Sequence, residues 1–159
     1  MIDDDVLIAI APSFVRRWVG VICLGLLGLL IISLCFSDAG GIWPVIFLIL
    51  GCASIFAGDK FRRASNDTIE LTRDELRTGS GRVLARIDNV KEVERGAFAF
   101  KPSNGFLVRL KEPEGKGWAP GIWWKRGTLL GIGGVIAGGQ TRAMADVLKA
   151  MIKGYLPEE

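Results

Sequence analysis

Two long apolar runs near the start of the chain dominate its hydrophobic pattern. Residues 18–36 contain no charged side chain, and neither do residues 39–58. Each run is close to the roughly 20 apolar residues that a helix needs to cross about 30 Å of hydrocarbon. The polar break between them, residues 37–41, is too short for a folded domain. The pattern therefore predicts a transmembrane hairpin over residues 18–58, with antiparallel helices at about 18–36 and 42–58.

Basic residues precede the first predicted helix and follow the second, whereas Asp38 is the only charged residue of the connecting loop. Because Lys and Arg concentrate in cytoplasmic loops, both termini are expected in the cytoplasm of an inner-membrane protein. The same side chains are candidate contacts to anionic headgroups. These topology residues are Arg16, Arg17, Lys60, Arg62 and Arg63.

Small residues lie within both runs at spacings that let two helices approach closely. The alternative is that glycine and alanine are simply common in membrane helices. The candidate packing residues are Gly25, Gly28, Ala53, Ser54, Ala57 and Gly58.

Two rival interpretations compete with the hairpin. A signal peptide cleaved after Ala39 would have an unusually long apolar region and an acidic start at residues 3–5, where a basic one is typical. A buried helix pair in a soluble protein would need more chain than remains, since both helices are apolar on all faces.

The N-terminal cytoplasmic segment, residues 1–17, has two interpretations. Ile2, Val6, Leu7 and Ile10 fall on one side of a short interfacial helix, which we favour up to about Ala11. The same residues are compatible with a strand or with a disordered lead.

From residue 68 onward the hydrophobic period changes to two, which indicates short antiparallel strands. Ile69 and Leu71 alternate with polar neighbours, and further strands are predicted at 76–78, 83–87, 90–95, 98–101 and 106–110. The apolar run 127–139 is too short to cross a membrane and predicts one or two buried strands. Apolar residues at helical spacing over 141–153 predict a final amphipathic helix. Residues 66–154 thus form a predicted cytoplasmic β-domain.

Composition removes several function classes. The net charge is only +3 and the basic residues are mixed with acidic ones, so a nucleic-acid partner is not expected. The chain has no histidine, and its three cysteines lie in the apolar runs, so no metal, cofactor or catalytic site is predicted. The glycine-rich run lacks both the dinucleotide fingerprint and the Walker A pattern, and we interpret its glycines as allowing tight turns and close packing.

Tryptophans and cations cluster late in the chain. Tryptophan rings favour the headgroup region and adjacent cations favour anionic lipid, which makes this cluster a candidate membrane or partner contact. The alternative is structural, because alternation on a strand would bury one of Trp123 and Trp124 and expose the other. The cluster comprises Trp118, Trp123, Trp124, Lys125 and Arg126.

A two-span hairpin with a basic exit, about seven strands and one closing helix resembles the bacterial membrane-anchored PH-like domain proteins. The resemblance is carried by Ile-Glu-Leu-Thr at 69–72, by Glu-Leu-Arg at 75–77 and by Arg-Ile-Asp-Asn-Val-Lys-Glu-Val at 86–93. It implies two nearly orthogonal sheets, a helix closing one end, and a non-catalytic binding role. Arg73 and Arg77 are separated by acidic residues, which departs from the basic cluster of phosphoinositide binders.

The leading expectation is a membrane-tethered binding or scaffold module for a protein partner, with a homo-oligomer as one form of that partner. The alternative is a subunit or assembly factor of a larger inner-membrane complex. An enzyme acting on a lipid-borne substrate is a third hypothesis, for which the sequence offers no set of catalytic residues.

Overall fold

A computed structural model of the chain describes residues 6–37, 40–95 and 103–154. The chain divides into two compact units, a helical hairpin at Phe14–Ala64 and a β-domain made of Met1–Ser13 together with Ser65–Glu159. The predicted strand at 98–101 lies outside the described residues, as does Asp38 of the predicted hairpin loop.

The hairpin contains two helices that are long and apolar enough to cross a membrane. Helix α1 (Phe14–Ser33) continues into a 3-10 turn at Leu34–Phe36, and α2 spans Trp43–Ala64. Both extend beyond the predicted spans, so the flanking arginines and lysine lie inside the helices and not beside them. The extension is physically reasonable because a helix satisfies its own backbone hydrogen bonds past the apolar stretch, and Asp59 pairs with Arg62 and Arg63 one turn later.

Residue pairings show that α1 and α2 run antiparallel. Gly28 faces Gly51, and a Cβ added to Gly28 would lie 2.9 Å from the Gly51 carbonyl oxygen and 2.6 Å from Ile55. Nearer the open end, a Cβ on Gly20 would lie 2.8 Å from the Phe61 ring. Absent side chains therefore let the two backbones approach closely, as membrane helices commonly do.

The predicted packing residues divide into two groups. Gly28, Ser54 and Gly58 face α1–α2 contacts, with the Ser54 hydroxyl donating to the Leu24 carbonyl at 2.9 Å. The other three do not face the α1–α2 contact, because Ala53 and Ala57 are exposed and a Cβ on Gly25 would meet nothing within 4 Å. Of the two predicted four-residue pairs on α2, Ser54 and Gly58 thus face α1, and Ala53 and Ala57 do not.

The N-terminal segment is a strand, so the favoured short helix is wrong. Strand β1 (Val6–Ile10) pairs antiparallel with β2 (Ile69–Thr72), placing Ile10 opposite Ile69. β-branched residues and an inward-facing Ile10, only 1% exposed, explain why the strand prevails. The chain therefore leaves this sheet after β1, makes the entire helical hairpin, and returns to the neighbouring position.

The first sheet has the order β1-β2-β3-β4, with β3 at Glu75–Thr78 and β4 at Val83–Arg86. A 3-10 turn at Ile87–Asn89 leads to the second sheet. Contrary to the predicted alternation, Val83 is 41% exposed while Leu84 is buried. A register shift between Leu76 and Arg77 turns the start of β4 outward.

The second sheet has the order β5-β6-β9-β8-β7 and is also antiparallel. The described residues therefore hold nine strands, where about seven were expected, because β1, β7 and β8 add three while the predicted strand at 98–101 lies outside the described residues. The strands of this sheet are β5 (Val90–Glu94), β6 (Phe106–Leu110), β7 (Gly117–Ala119), β8 (Trp123–Arg126) and β9 (Leu129–Ile132).

The predicted final helix is confirmed as α3 (Gly138–Ile152), which contributes Met144 and Leu148 to the core. The chain reaches it through close backbone packing, where Gly134 has φ +76° and a Cβ there would collide with the Gly121 carbonyl. The core side chains with essentially no exposure include Ile10, Ile69, Leu71, Leu76, Leu84, Phe106, Ile122, Leu130, Ile132 and Ile136.

Candidate functional site

The strands β7, β8 and β9 sort the predicted tryptophan and cation cluster onto two faces. Along β8 the side chains alternate, so Trp123 and Lys125 point inward while Trp124 and Arg126 point outward. Trp118 on β7 is directly opposite Trp124, which puts it on the outer face. The cluster is therefore not one surface.

The outer face carries an aromatic surface, which we define as Trp118, Trp124 and Arg126. Trp118 is 62% exposed, Arg126 is exposed, and Trp124 is partly covered. The Trp124 ring lies over Gly131, its cross-strand neighbour on β9, where any side chain would collide with the ring. A glycine covered by a cross-strand aromatic ring gives a flat platform with a cation at its edge.

Trp123 and Lys125 lie on the inner face and are buried, so they do not belong to a contact surface. This corrects the prediction for these two residues. Trp123 is 4% exposed and Lys125 is 9% exposed. The Lys125 ammonium donates a hydrogen bond of 2.8 Å to the Leu84 carbonyl on β4. A lysine was expected at the surface, but it shares the inward face with a core tryptophan and satisfies its charge by binding a backbone carbonyl.

Arg82, which sequence reasoning missed, also joins the edges of the two sheets. Its guanidinium carbon lies 5.0 Å from the centroid of the Trp123 ring, and its Nη2 donates to the Lys116 carbonyl at 3.3 Å. Arg82 directly precedes edge strand β4, so a cation–π contact and a hydrogen bond link the start of this strand to the region of the β7–β8 hairpin.

Burial lowers the pKa of the Lys125 ammonium from its ordinary value of 10.5. The negative charge of Glu114 opposes this change, and the positive charge of Arg82 adds to it. The inward position of Lys125 could have been predicted from the sequence. On a strand that buries Trp123, the residue two places later faces inward as well.

The topology cations lie at the open end of the hairpin. Arg62 and Arg63 pair with Asp59 at 2.9 and 2.7 Å, with side chains 45% and 75% exposed. The guanidinium carbon of Arg17 lies 5.6 Å from the Phe14 ring centroid. Arg16 and Lys60 lie on the same two terminal helical turns, so all five residues stay candidates for headgroup contact.

In the part of the chain that the structure describes, no group of three or more His, Cys, Asp or Glu side chains is placed to hold a metal ion. Within the run 127–139, Gly133 and Gly134 pack closely against the backbone of Gly105 and Gly121, and the Gly133 amide donates to the Ile122 carbonyl at 2.8 Å.

No protein-family model, curated protein or solved structure matches this chain.

Proposed function

We propose that the chain is a membrane-tethered, non-catalytic binding module of the bacterial inner membrane. In this proposal its β-domain is PH-like and cytosolic, and it holds a protein partner close to the bilayer. The observation that carries the proposal is the insertion of the apolar helical hairpin between two paired strands, β1 and β2.

The exposure of the hairpin supports a lipid environment. Large apolar side chains such as Leu29, Leu30 and Phe56 are 60%, 62% and 70% exposed. A core helix of a soluble protein would bury most of these side chains. An exposed apolar surface of this extent needs hydrocarbon or another protein to cover it.

The pairing of β1 with β2 also argues against a cleaved signal peptide. Cleavage after Ala39 would remove β1, and with it the core residue Ile10. The remaining sheet would expose the edge of β2 and open a cavity, which costs about 2–5 kcal/mol for a side chain of this size. Retention of residues 6–37 is therefore part of the proposal.

The same pairing supports the orientation predicted from the basic residues. Both ends of the hairpin connect to adjacent strand positions, Ile10 and Ile69, through only a few residues each. A two-span hairpin with its ends so connected returns the chain to one side of the bilayer, and the positive-inside rule assigns that side to the cytoplasm.

The aromatic surface is the proposed contact for the partner. Tryptophan and arginine are enriched where proteins bind each other, and Trp118 exposes an apolar ring that the fold does not bury. The test is photo-crosslinking in intact membranes with benzoylphenylalanine replacing Trp118. We expect a discrete crosslinked protein, absent when the same group replaces Val83, which is 41% exposed elsewhere on the domain. Identical crosslinks from both sites would overturn this surface as the contact.

A second candidate function, a subunit of a larger membrane complex, is favoured by the exposed Ala53 and Ala57 on α2. Small side chains on a lipid-facing surface allow another helix to approach. Replacing both with leucine should then dissociate a complex seen by native electrophoresis in mild detergent. A single species of unchanged size before and after the substitution would contradict it.

A further inference from the structure

A cavity of about 590 Å³ lies in the β-domain away from the aromatic surface. Its volume is within the range of small-molecule sites, roughly 300–1,000 Å³. Three chain segments converge on it: the β2–β3 turn, the 3-10 turn that joins the two sheets, and the C-terminal end of α3.

Part of the lining of this cavity is charged, with three cations and two carboxylates. Arg73, Arg86 and Lys111 line it, together with the carboxylates Asp74 and Asp88. Arg86 and Asp88 are 3.4 Å apart and about 70% exposed, so their ion pair is weak and open to an incoming anion. The Lys111 ammonium uses one proton for the Asp88 carbonyl at 2.6 Å, and an ammonium has two more to donate.

The rest of the lining is apolar. It is formed by Val90, Met151 and Ile152, of which Val90 is buried and the two α3 residues are partly exposed. The carbonyl end of a helix is electronegative, so an anion is disfavoured beside the end of α3 and favoured beside the cations. The cavity lining thus combines cations that suit an anionic group with side chains that suit an apolar group.

Backbone hydrogen bonds hold the converging turns in place. The Ile87 amide donates to the Asp74 carbonyl at 2.8 Å, and the Lys111 amide donates to the Asn89 carbonyl at 2.8 Å. A site held by main-chain bonds is formed before a ligand arrives, which lowers the entropy that binding must overcome. An adjoining cavity of about 400 Å³ shares Arg86 and Lys111 but carries Glu112 and Glu114, so it disfavours an anion.

We propose that the larger cavity binds a small organic anion, with its carboxylate or phosphate at Arg73, Arg86 and Lys111 and its apolar group against Val90, Met151 and Ile152. This site is separate from the aromatic surface and does not depend on the proposed partner contact. The anion has two sources, a soluble metabolite or the headgroup of an anionic lipid.

Methionine methyl resonances offer a direct test, because the chain has only three methionines. Met151 lines the cavity, whereas Met144 is fully buried in the core and serves as an internal control. The full chain, labelled with 13C-methyl methionine, is placed in phosphatidylcholine nanodiscs and titrated with phenyl phosphate. We expect a saturable shift of the Met151 signal and no shift of the Met144 signal.

Variants and matched probes separate the contributions. Arg73→Gln with Arg86→Gln should weaken phenyl phosphate binding by about tenfold or more, because the double variant removes two cations that can donate charge-assisted hydrogen bonds to the phosphate. Lys91→Gln, an exposed cation on β5, should leave the affinity unchanged. Inorganic phosphate and the neutral 3-phenylpropanol should each bind more weakly than phenyl phosphate. Inorganic phosphate lacks the apolar group, and 3-phenylpropanol lacks the anionic group.

Two outcomes would overturn the proposal: no saturable Met151 shift, or a shift of equal affinity in the double variant with its Met144 signal unchanged. Repeating the titration in nanodiscs containing phosphatidylglycerol identifies the source. Competition by that lipid would assign the headgroup as the anion, and unchanged affinity would assign a soluble ligand.

Discussion

The helical hairpin and the β-domain are both rich in large apolar side chains, yet they place them in opposite ways. In the β-domain, Leu76 and Phe106 have no exposure, whereas in the hairpin Leu29 and Phe56 are 60% and 70% exposed. Among the described residues of α1 and α2, the buried ones are all glycines. The β-domain is stabilised by removing apolar surface from water, whereas the two helices of the hairpin approach closely at glycines and leave their large apolar side chains exposed.

The largest expected effect tests whether β1 belongs to the water-excluding region. Ile10→Ala should destabilise the β-domain by about 2–5 kcal/mol, since it leaves a cavity in the core. Leu7→Ala on the same strand should cost less than about 0.5 kcal/mol because Leu7 is 41% exposed. Urea unfolding of the full chain in nanodiscs, followed by hydrogen exchange of β2 amides, measures both. Equal small losses would mean that β1 is not part of the core.

A second pair tests close packing in the hairpin. Gly28→Ala should cost about 1–3 kcal/mol, because the new methyl group would lie against Ile55 and the Gly51 carbonyl. Gly25→Ala has open space and should be neutral or stabilising by up to about 1 kcal/mol through helix propensity. Reversible unfolding of the chain in mixed micelles compares the two variants. Similar losses from both would show that general helix properties, and not this contact, govern the hairpin.

The buried lysine gives the β-domain a pH dependence. Because burial lowers the native pKa of Lys125 below 10.5, the unfolded state holds a proton that the native state has released in the window just below pH 10.5. The free energy of unfolding should therefore rise with pH in that window, relative to Lys125→Met. Urea titrations at a series of alkaline pH values give the difference, with Lys91→Met as the control. Parallel pH profiles for wild type and Lys125→Met would contradict the assignment.

The smallest expected effect concerns the polar contact in the hairpin. Ser54→Ala removes the bond to the Leu24 carbonyl on the other helix and should cost about 0.6 kcal/mol. Ser33→Ala removes only a bond to Leu30 within its own helix and should cost less. Unfolding in mixed micelles measures the loss of unfolding free energy in both variants. A larger loss from Ser33→Ala would mean that the bond across the helix interface is not the more stabilising of the two.

Sequence reasoning identified the two apolar helices, most strands and the closing helix, because hydrophobic period and length report these directly. It favoured a helix at β1 and left the strand as an alternative, because five residues are compatible with either period and only pairing with β2 across the intervening hairpin selects the strand. It also misassigned Lys125, whose environment depends on the distant Leu84 carbonyl. The local hydrophobic pattern predicts helices and strands well. Contacts between residues far apart in the chain decide whether an ambiguous segment joins a sheet and whether a polar side chain is buried.

The central prediction is that the hairpin inserted between β1 and β2 spans a membrane and returns both ends to the same side. Single cysteines in a variant with Cys23, Cys35 and Cys52 replaced by alanine test it with a membrane-impermeant maleimide. In sealed vesicles of known orientation, we expect Leu7→Cys and Val83→Cys to react only from the cytoplasmic side, and Gly40→Cys only from the other. Labelling of all three from one side, or of Leu7→Cys and Val83→Cys from opposite sides, would contradict the claim.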